Sequence, residues 1–182
     1  MARPQFKLVA MNLALWLDRH ARSDPARTAV FVGAAPWKSF GALAADVAGL
    51  ARGMREKLGL APGDRVAIVM RNAPQYAEVM LAAWWAGLAA VPVNAKLHPR
   101  EVAFILEDSG AKAVFATPDW VAGLAEAVAG MPRAPDVIEA GSVGYDALLI
   151  EPMPLAPVAD DALAWLFYTS GTTGRPKGAM LS

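Results

Sequence analysis

The alternation of short apolar segments with amphipathic ones between residues 65 and 139 restricts the fold of this chain more than any other feature. Strands and helices are expected in turn, at residues 65–70, 74–86, 88–93, 99–108, 113–116, 118–129 and 136–139. Val66-Ala-Ile-Val-Met70 is apolar at consecutive positions, which is typical of a strand buried on both faces. Strands that alternate with helices through short loops form a parallel, doubly wound sheet. The expected fold class is therefore α/β, with a mostly parallel sheet flanked by helices.

The residues before this unit predict a helix, a hairpin and a second helix. Leu13, Trp16, Leu17 and His20 recur at helical spacing, with Asn12 as the N-cap and the end of the helix before Pro25. A signal peptide is the alternative, because Arg3 and Lys7 precede an apolar run, but no small-x-small cleavage site follows it. The amphipathic helix is the favoured interpretation.

The hairpin and the second helix come next. Residues 28–32 and 37–39 read as the two strands of the hairpin, and Ser39 is placed to cap a helix that continues to Leu58. Gly49 and Gly53 cost that helix about 1 kcal/mol each relative to alanine, and we expect these small residues to let it pack closely on the sheet.

Composition excludes several classes of function. Lys plus Arg and Asp plus Glu number 17 each, so no basic field favours nucleic acid as a partner. The chain has no cysteine and 2 histidines, which excludes disulfides, thiol catalysis and cysteine-ligated zinc, and is compatible with a cytoplasmic location. The apolar stretch 79–93 contains Pro92 and is too short to span a membrane. At 55% hydrophobic residues the chain is rich enough in apolar side chains to expose a surface for a homo-oligomer.

An eleven-residue stretch near the end of the chain carries the chemistry: Tyr168-Thr-Ser-Gly-Thr-Thr-Gly-Arg-Pro-Lys-Gly178. Residues 169–174 are all glycine or hydroxyl-bearing, and the apolar run 162–168 before them reads as a buried strand. Glycines allow backbone N–H groups to approach an anion, the hydroxyls can donate, and Lys177 adds one positive charge. The pattern differs from the Walker loop, because Gly178 follows the lysine where that motif has Ser or Thr. A surface loop without function is the plainer alternative.

Other polar or aromatic residues are weaker candidates. Asn72 follows a strand, where open α/β sheets place ligands, but a helix cap is the favoured role. His98, which precedes Pro99, is expected to be a surface turn residue. Trp84 and Trp85 lie on a predicted helix and are expected in the core or on a subunit face. None of these four residues is predicted to be catalytic.

The undecapeptide closely resembles the phosphate-loop motif of the adenylate-forming (AMP-binding) superfamily, which includes acyl-CoA synthetases, peptide-synthetase adenylation domains and luciferases. Residues 64–72 and 87–94 are similar to family segments as well. The order of predicted elements looks like that of the amino-terminal third of an acyl-CoA synthetase. The resemblance thus implies an N-terminal subdomain of the adenylate-forming fold, and a fragment that is inactive on its own.

The resemblance also implies a reaction and a set of site residues. In that family a carboxylic acid, often a fatty acid, and ATP give an acyl-adenylate, and coenzyme A then takes the acyl group. By resemblance, Lys177 is the catalytic cation that neutralises the departing pyrophosphate, and Thr172 touches Mg²⁺. The residues that would wrap the phosphates are Thr169, Ser170, Gly171, Thr172, Thr173, Gly174 and Lys177.

Two other functional hypotheses stay open. The chain could belong to a different adenylating enzyme, either a peptide-synthetase adenylation domain or an aryl-CoA ligase. It could instead be a non-enzymatic module that binds a partner through an exposed apolar face. The expected domain division is an N-terminal α/β subdomain at residues 1–151, a proline-rich linker at 152–160, and the start of the next subdomain, with the phosphate loop, at 161–182.

Overall fold

The structure is a computed structural model that describes residues 12–169 and 176–182. Helices and strands alternate along these residues. In chain order they are α1 (Leu15–Ser23), β1 (Thr28–Val32), β2 (Ala35–Ser39), α2 (Phe40–Glu56), β3 (Arg65–Val69), α3 (Gln75–Trp85), β4 (Ala89–Pro92), α4 (Pro99–Ser109), β5 (Ala111–Ala116), α5 (Pro118–Val128), β6 (Asp136–Glu139), α6 (Val143–Asp146), β7 (Trp165–Thr169) and β8 (Lys177–Leu181).

A six-stranded sheet with the order β6-β5-β3-β4-β7-β8 forms the centre of the molecule. Neighbouring strands are parallel, except that β8 runs antiparallel to β7. The middle strand β3 is buried on both faces, as its continuous apolar sequence predicts. Strands β1 and β2 pair separately as an antiparallel hairpin. The expected α/β class with a mostly parallel sheet is confirmed.

Helices cover both faces of this sheet and form two hydrophobic cores. On one face α1, α2 and α3 pack over Val66, Ile68 and Phe115. On the other face α4 and α5 pack over Ala67, Val69 and Val114. Because successive residues of a strand point to opposite faces, β3 contributes to both cores in alternation. Trp84 and Trp85 lie in the first core, which is one of the two locations expected for them, the other being a subunit face.

The first helix begins later than the sequence predicts. Helix α1 has Ala14 at its N-cap, so the prediction of Asn12 as the cap is wrong. The Asn12 side chain is buried and is used for long-range contacts instead. Its Nδ2 donates to the carbonyl oxygens of Trp84 at 2.6 Å and Ala156 at 3.0 Å, and its Oδ1 accepts from the Ala14 N–H. Trp16 remains 47% exposed, so only part of the predicted apolar face of α1 is covered.

Helix α2 is capped as predicted, because the Ser39 hydroxyl accepts from the Ala42 N–H at 3.3 Å. The atoms nearest to Gly49 and Gly53 of this helix belong to the segment after α6 and not, as expected, to the sheet. A Cβ at Gly49 would lie 2.6 Å from the carbonyl oxygen of Ile150, and one at Gly53 would lie even closer to that of Leu148. The glycines therefore let the chain segment 148–150 pack against the backbone of α2.

The proline-rich residues 152–160 form no helix or strand, but they are fixed to the first core. The Trp85 indole donates to the Met153 carbonyl oxygen at 2.9 Å, and the Ala156 N–H donates to the Trp85 carbonyl oxygen at 2.9 Å. Trp84 donates to the Ala164 carbonyl oxygen at 3.0 Å, just before β7. The segment is thus held along α3, and a boundary between subdomains in this segment stays a prediction.

The last two strands differ from expectation. Strand β7 is half-buried rather than buried, because its outer neighbour β8 is exposed along its whole length. The sequence predicts no strand at the position of β8, because residues 177–181 include Gly178 and do not alternate between apolar and polar side chains. Within residues 12–169 and 176–182, no helix has both the length and the apolar character needed to cross a bilayer.

Candidate phosphate-binding hairpin

Strands β7 and β8 form a hairpin that brings the two ends of the predicted phosphate loop together. Thr169 is the last residue of β7, Lys177 is the first residue of β8, and the two are partners in the antiparallel register. Both side chains are exposed. Ser170, Gly171, Thr172, Thr173 and Gly174, which the sequence assigns to the same site, lie outside the described residues.

The hairpin projects from the edge of the sheet at which ligands are usually bound. Thr169 lies at the carboxyl end of β7. Because β7 runs parallel to β4, this end lies at the same edge of the sheet as the carboxyl end of β4, and pairing with β8 places Lys177 beside Thr169. Open parallel sheets bind ligands outside the carboxyl ends of their strands. A cation and a hydroxyl at this edge are suited to a group that carries negative charge, such as a phosphate chain.

Tyr168 anchors the hairpin to helix α4. Its hydroxyl donates to Asp108 Oδ2 at 2.6 Å, and Asp108 lies in the last turn of α4. Burial and the adjacent Asp108 carboxylate raise the pKa of the Tyr168 hydroxyl, so the hydroxyl stays protonated and able to donate at neutral pH. The sequence did not identify Asp108. The signal available was indirect, because alternation along β7 places Leu166 and Tyr168 on the face covered by α4.

A second place to consider is the point where the strand order reverses, between β3 and β5. The connections that leave these strands pass to opposite faces of the sheet, which creates a crevice at their carboxyl ends. Arg71 and Asp119 face each other there, with Arg71 Nε donating to Asp119 Oδ2 at 2.5 Å. This hydrogen bond lowers the pKa of Asp119. The two charges neutralise each other, and Lys96 lines the same crevice, so its lining carries one net positive charge.

Neither Asn72 nor His98, two weaker candidates for a functional site, is assigned to a site by the structure. Asn72 is not the cap of α3, because Pro74 occupies that position. His98 is exposed as expected, but it also caps α4: its Nδ1 accepts from the Arg100 N–H at 3.2 Å, and Glu101 accepts from the His98 N–H in return. This capping box fixes the start of α4.

A cavity of about 620 Å³ lies near the amino ends of β3 and β4, away from the end of the hairpin that carries Thr169. It is lined by apolar residues such as Leu13, Trp84 and Leu163. Its place at the amino ends of the strands makes it a poor candidate for the phosphate site.

In the part of the chain that the structure describes, no group of three or more His, Asp or Glu residues could hold a metal ion. Thr172, the predicted magnesium contact, is outside that part.

Comparison with known proteins identifies the family. A sequence model described as AMP-binding enzyme matches residues 17–182. A feruloyl-CoA synthase from Amycolatopsis sp. is 42% identical over 172 residues, which cover 94% of this chain and 33% of that protein. The long-chain-fatty-acid–CoA ligase FadD13 from Mycobacterium tuberculosis is 35% identical over 130 residues, which cover 68% of this chain and 25% of that protein.

Solved structures agree with the sequence comparison. The N-terminal domain of FACL13 from M. tuberculosis superposes with a TM-score of 0.79 at 28% identity, over 94% of this chain and 44% of that one. The chain spans about a third of the length of the feruloyl-CoA synthase, and it matches the amino-terminal region of such longer proteins. With the fold, the hairpin and these matches in agreement, the chain belongs to the family of AMP-binding, adenylate-forming enzymes.

Proposed function

We propose that this chain is the ATP-phosphate-binding part of an acid–CoA ligase. One observation carries the proposal: in a chain that matches the AMP-binding family over residues 17–182, the β7–β8 hairpin sets Thr169 beside Lys177 at the carboxyl edge of the sheet. In the proposed reaction a carboxylate oxygen attacks the α-phosphorus of ATP, and the bond to the β-phosphate breaks to release pyrophosphate. The thiol of coenzyme A then attacks the acyl carbon, and AMP leaves.

The proposed work of the hairpin is electrostatic. Negative charge grows on the leaving pyrophosphate, and fixed donors stabilise that charge in the transition state. We assign this role to the hydroxyl and N–H groups of residues 169–174 and to the ammonium group of Lys177. A magnesium ion, with Thr172 as a contact, would add positive charge to the same phosphates.

The acid substrate has two candidates. The first is a fatty acid, in line with the FadD13 relative. The second is an aromatic acid, which is favoured by the higher identity to feruloyl-CoA synthase, 42% against 35%. ATP–pyrophosphate exchange of the native gene product with a panel of fatty and aromatic acids separates them, because exchange depends on the acid that the enzyme can adenylate.

The role of Lys177 is tested by Lys177→Ala in the same exchange assay. Loss of one fixed donor to a developing oxyanion costs about 10²–10³-fold in rate, and we expect a loss of that order here. Lys57→Ala is the matched control, since Lys57 is also exposed but lies at the end of α2, away from the hairpin. Exchange that survives in Lys177→Ala at the level of the control would overturn the assignment.

We further propose that residues 1–182 alone catalyse neither step, since relatives that perform acid–CoA ligation are about three times longer. Acid-dependent formation of AMP by the purified 182-residue chain would contradict this proposal.

A further inference from the structure

The attachment of the phosphate hairpin to the sheet is weak at the end that carries Thr169. Strand β7 pairs with β4 at one position, where Trp165 faces Ala90, four residues before Thr169. On its other side β7 contacts β8, which is an exposed edge strand. Sheet hydrogen bonds therefore fix the base of the hairpin and leave the positions of Thr169 and Lys177 to other contacts.

Tyr168 supplies such a contact to the first half of the hairpin. It immediately precedes Thr169, and its hydroxyl donates to Asp108 Oδ2 at 2.6 Å. A hydrogen bond to an ionised carboxylate is stronger than one between neutral groups. The contact joins residues 60 apart in sequence, so it ties the end of β7 to a different element of the fold.

The ring of the same tyrosine also contacts the second half of the hairpin. Gly178, which follows Lys177, is the register partner of Tyr168. A Cβ at Gly178 would lie 3.2 Å from Tyr168 Cζ and 3.0 Å from Leu166 Cδ1. Glycine at residue 178 thus leaves room for the ring beside the backbone next to Lys177, since a Cβ there would require the ring and Leu166 to shift by a few tenths of an ångström.

Helix α4 is a rigid support for this arrangement. It is fixed at its start by the capping box of His98 and Glu101, and at its end by Gly110 in the left-handed conformation. Val102, Ile105 and Leu106 are buried in the second core. Asp108 thus occupies a position set by the packed body of the protein.

We infer that Tyr168 and Asp108 are positioning residues that hold Thr169 and Lys177 in the geometry needed to bind the phosphates of ATP. The inference rests on the proposed function of the hairpin. Neither residue is required to touch the nucleotide. Tyr168 acts through its two chain neighbours in the hairpin, and Asp108 acts through Tyr168.

The test uses steady-state ATP–pyrophosphate exchange by the native gene product, with separate KM values for ATP and for the acid. Tyr168→Phe keeps the ring and removes the hydroxyl, and Asp108→Ala removes the acceptor. Each should raise the KM for ATP severalfold, because the lost hydrogen bond is to a charged carboxylate that is exposed to solvent, and leave the KM for the acid unchanged. Asp108→Asn keeps an oxygen that can accept from Tyr168 and should restore most of the affinity.

Two further variants separate positioning from general stability. Tyr145→Phe removes another tyrosine–carboxylate hydrogen bond, the one to Glu78, far along the sheet from the hairpin. It should lower the unfolding temperature without changing the KM for ATP. The double variant Tyr168→Phe/Asp108→Ala should be no worse than either single variant, because the two changes remove the same contact.

The outcomes also distinguish this inference from the proposed function. If Lys177→Ala loses exchange while Tyr168→Phe and Asp108→Ala keep the wild-type KM for ATP, the hairpin binds phosphate and the positioning role is wrong. Equal effects on the KM values for ATP and the acid, or no recovery in Asp108→Asn, would also overturn it. If Lys177→Ala is as active as the wild type, the proposed function itself fails.

Discussion

Glu78 is a carboxylate that is only 1% exposed, and its burial is compatible with stability because two donors reach it. The Lys38 ammonium group binds Oε1, and the Tyr145 hydroxyl donates to Oε2 at 2.8 Å. Lys38 also contacts Asp46 Oδ2 at 2.5 Å. The network joins the β1–β2 hairpin and the adjoining α2 to α3 and α6, which lie further along the chain. A buried carboxylate that loses one donor is left with an unsatisfied oxygen.

Tyr145→Phe should therefore lower the free energy of unfolding by about 1.5–3 kcal/mol, the cost of a hydrogen bond to a charged group. Urea denaturation measures the change. Tyr76→Phe is the control, because within the described residues the Tyr76 hydroxyl has no hydrogen bond that the change would remove. A loss in Tyr145→Phe no larger than in the control would show that Glu78 does not need this donor.

The same network predicts lower stability in alkali. Burial, together with Glu78, raises the pKa of Tyr145 above the usual 10.0. Burial acts to lower the pKa of Lys38, but its bonds to Asp46 and Glu78 outweigh that effect and raise it above 10.5. In alkali, where these groups lose their protons in the unfolded chain first, the unfolded chain holds fewer protons than the folded one. The free energy of unfolding therefore falls as pH rises. Denaturation between pH 8 and 11 should show this decline, with a shallower slope in Tyr145→Phe. An equal slope in both proteins would exclude Tyr145 as a source.

At the scale of elements, helix α2 shows why a glycine can be required inside a helix. Glycine costs a helix about 1 kcal/mol relative to alanine, and α2 contains two where the segment 148–150 crosses it. The segment that follows is held to the same core through the indole groups of Trp84 and Trp85. The loss in helix propensity is offset by the close approach of that segment.

Gly53→Ala should destabilise the protein by about 1–3 kcal/mol, because the added methyl group meets backbone atoms of Leu148 that have little room to move. The control is Gly123→Ala in α5, where a Cβ would meet no atom within 4 Å. Helix propensity alone should make that variant more stable by up to about 1 kcal/mol. Thermal unfolding of both variants measures the difference. If Gly53→Ala behaves like Gly123→Ala, the crossing segment yields and the glycine is not required.

Local signals were sufficient for most elements of the fold. Pro99 and Gly110 delimit α4 as the sequence predicts, and β1 and β6 have the predicted bounds. Where the sequence failed, distant partners decided the structure. Asn12 contacts Trp84 and Ala156 instead of capping α1, and the segment that meets Gly49 is about 100 residues away.

In the candidate site, too, some features follow from local sequence and others depend on distant contacts. Thr169 and Lys177 were assigned from their motif, but their pairing depends on β8, which has no recognisable pattern. Asp108 was not identified, because its contact with a residue 60 positions away is indicated only indirectly, by the alternation along β7. The resemblance between motifs therefore assigned residues to the candidate site, an assignment that stays a prediction, and the structure shows which residues contact Thr169 and Lys177.

At the scale of the whole molecule, the sheet order β6-β5-β3-β4-β7-β8 sets the final hairpin at one edge, where β7 reaches the two cores through the partly buried Trp165, Leu166 and Tyr168. Strand β3 pairs with β4 over four positions and with β5 over five, and β5 pairs with β6 over four, whereas β7 pairs with β4 at one. A strand that shares one ladder position with its inner neighbour can open locally while the remainder of the sheet stays folded.

Amide hydrogen exchange should thus be faster by orders of magnitude at Phe167 and Ala179 than at Ile68 and Val114, and ATP should slow it in the hairpin alone. Exchange at one common rate would show that the sheet opens as a single unit.

The limited pairing of β7 with β4 has a thermodynamic consequence. If the hairpin binds ATP as proposed, part of the binding free energy is used to order the hairpin, so affinity for ATP and local order are linked quantities, and a substitution that never touches the nucleotide can change both.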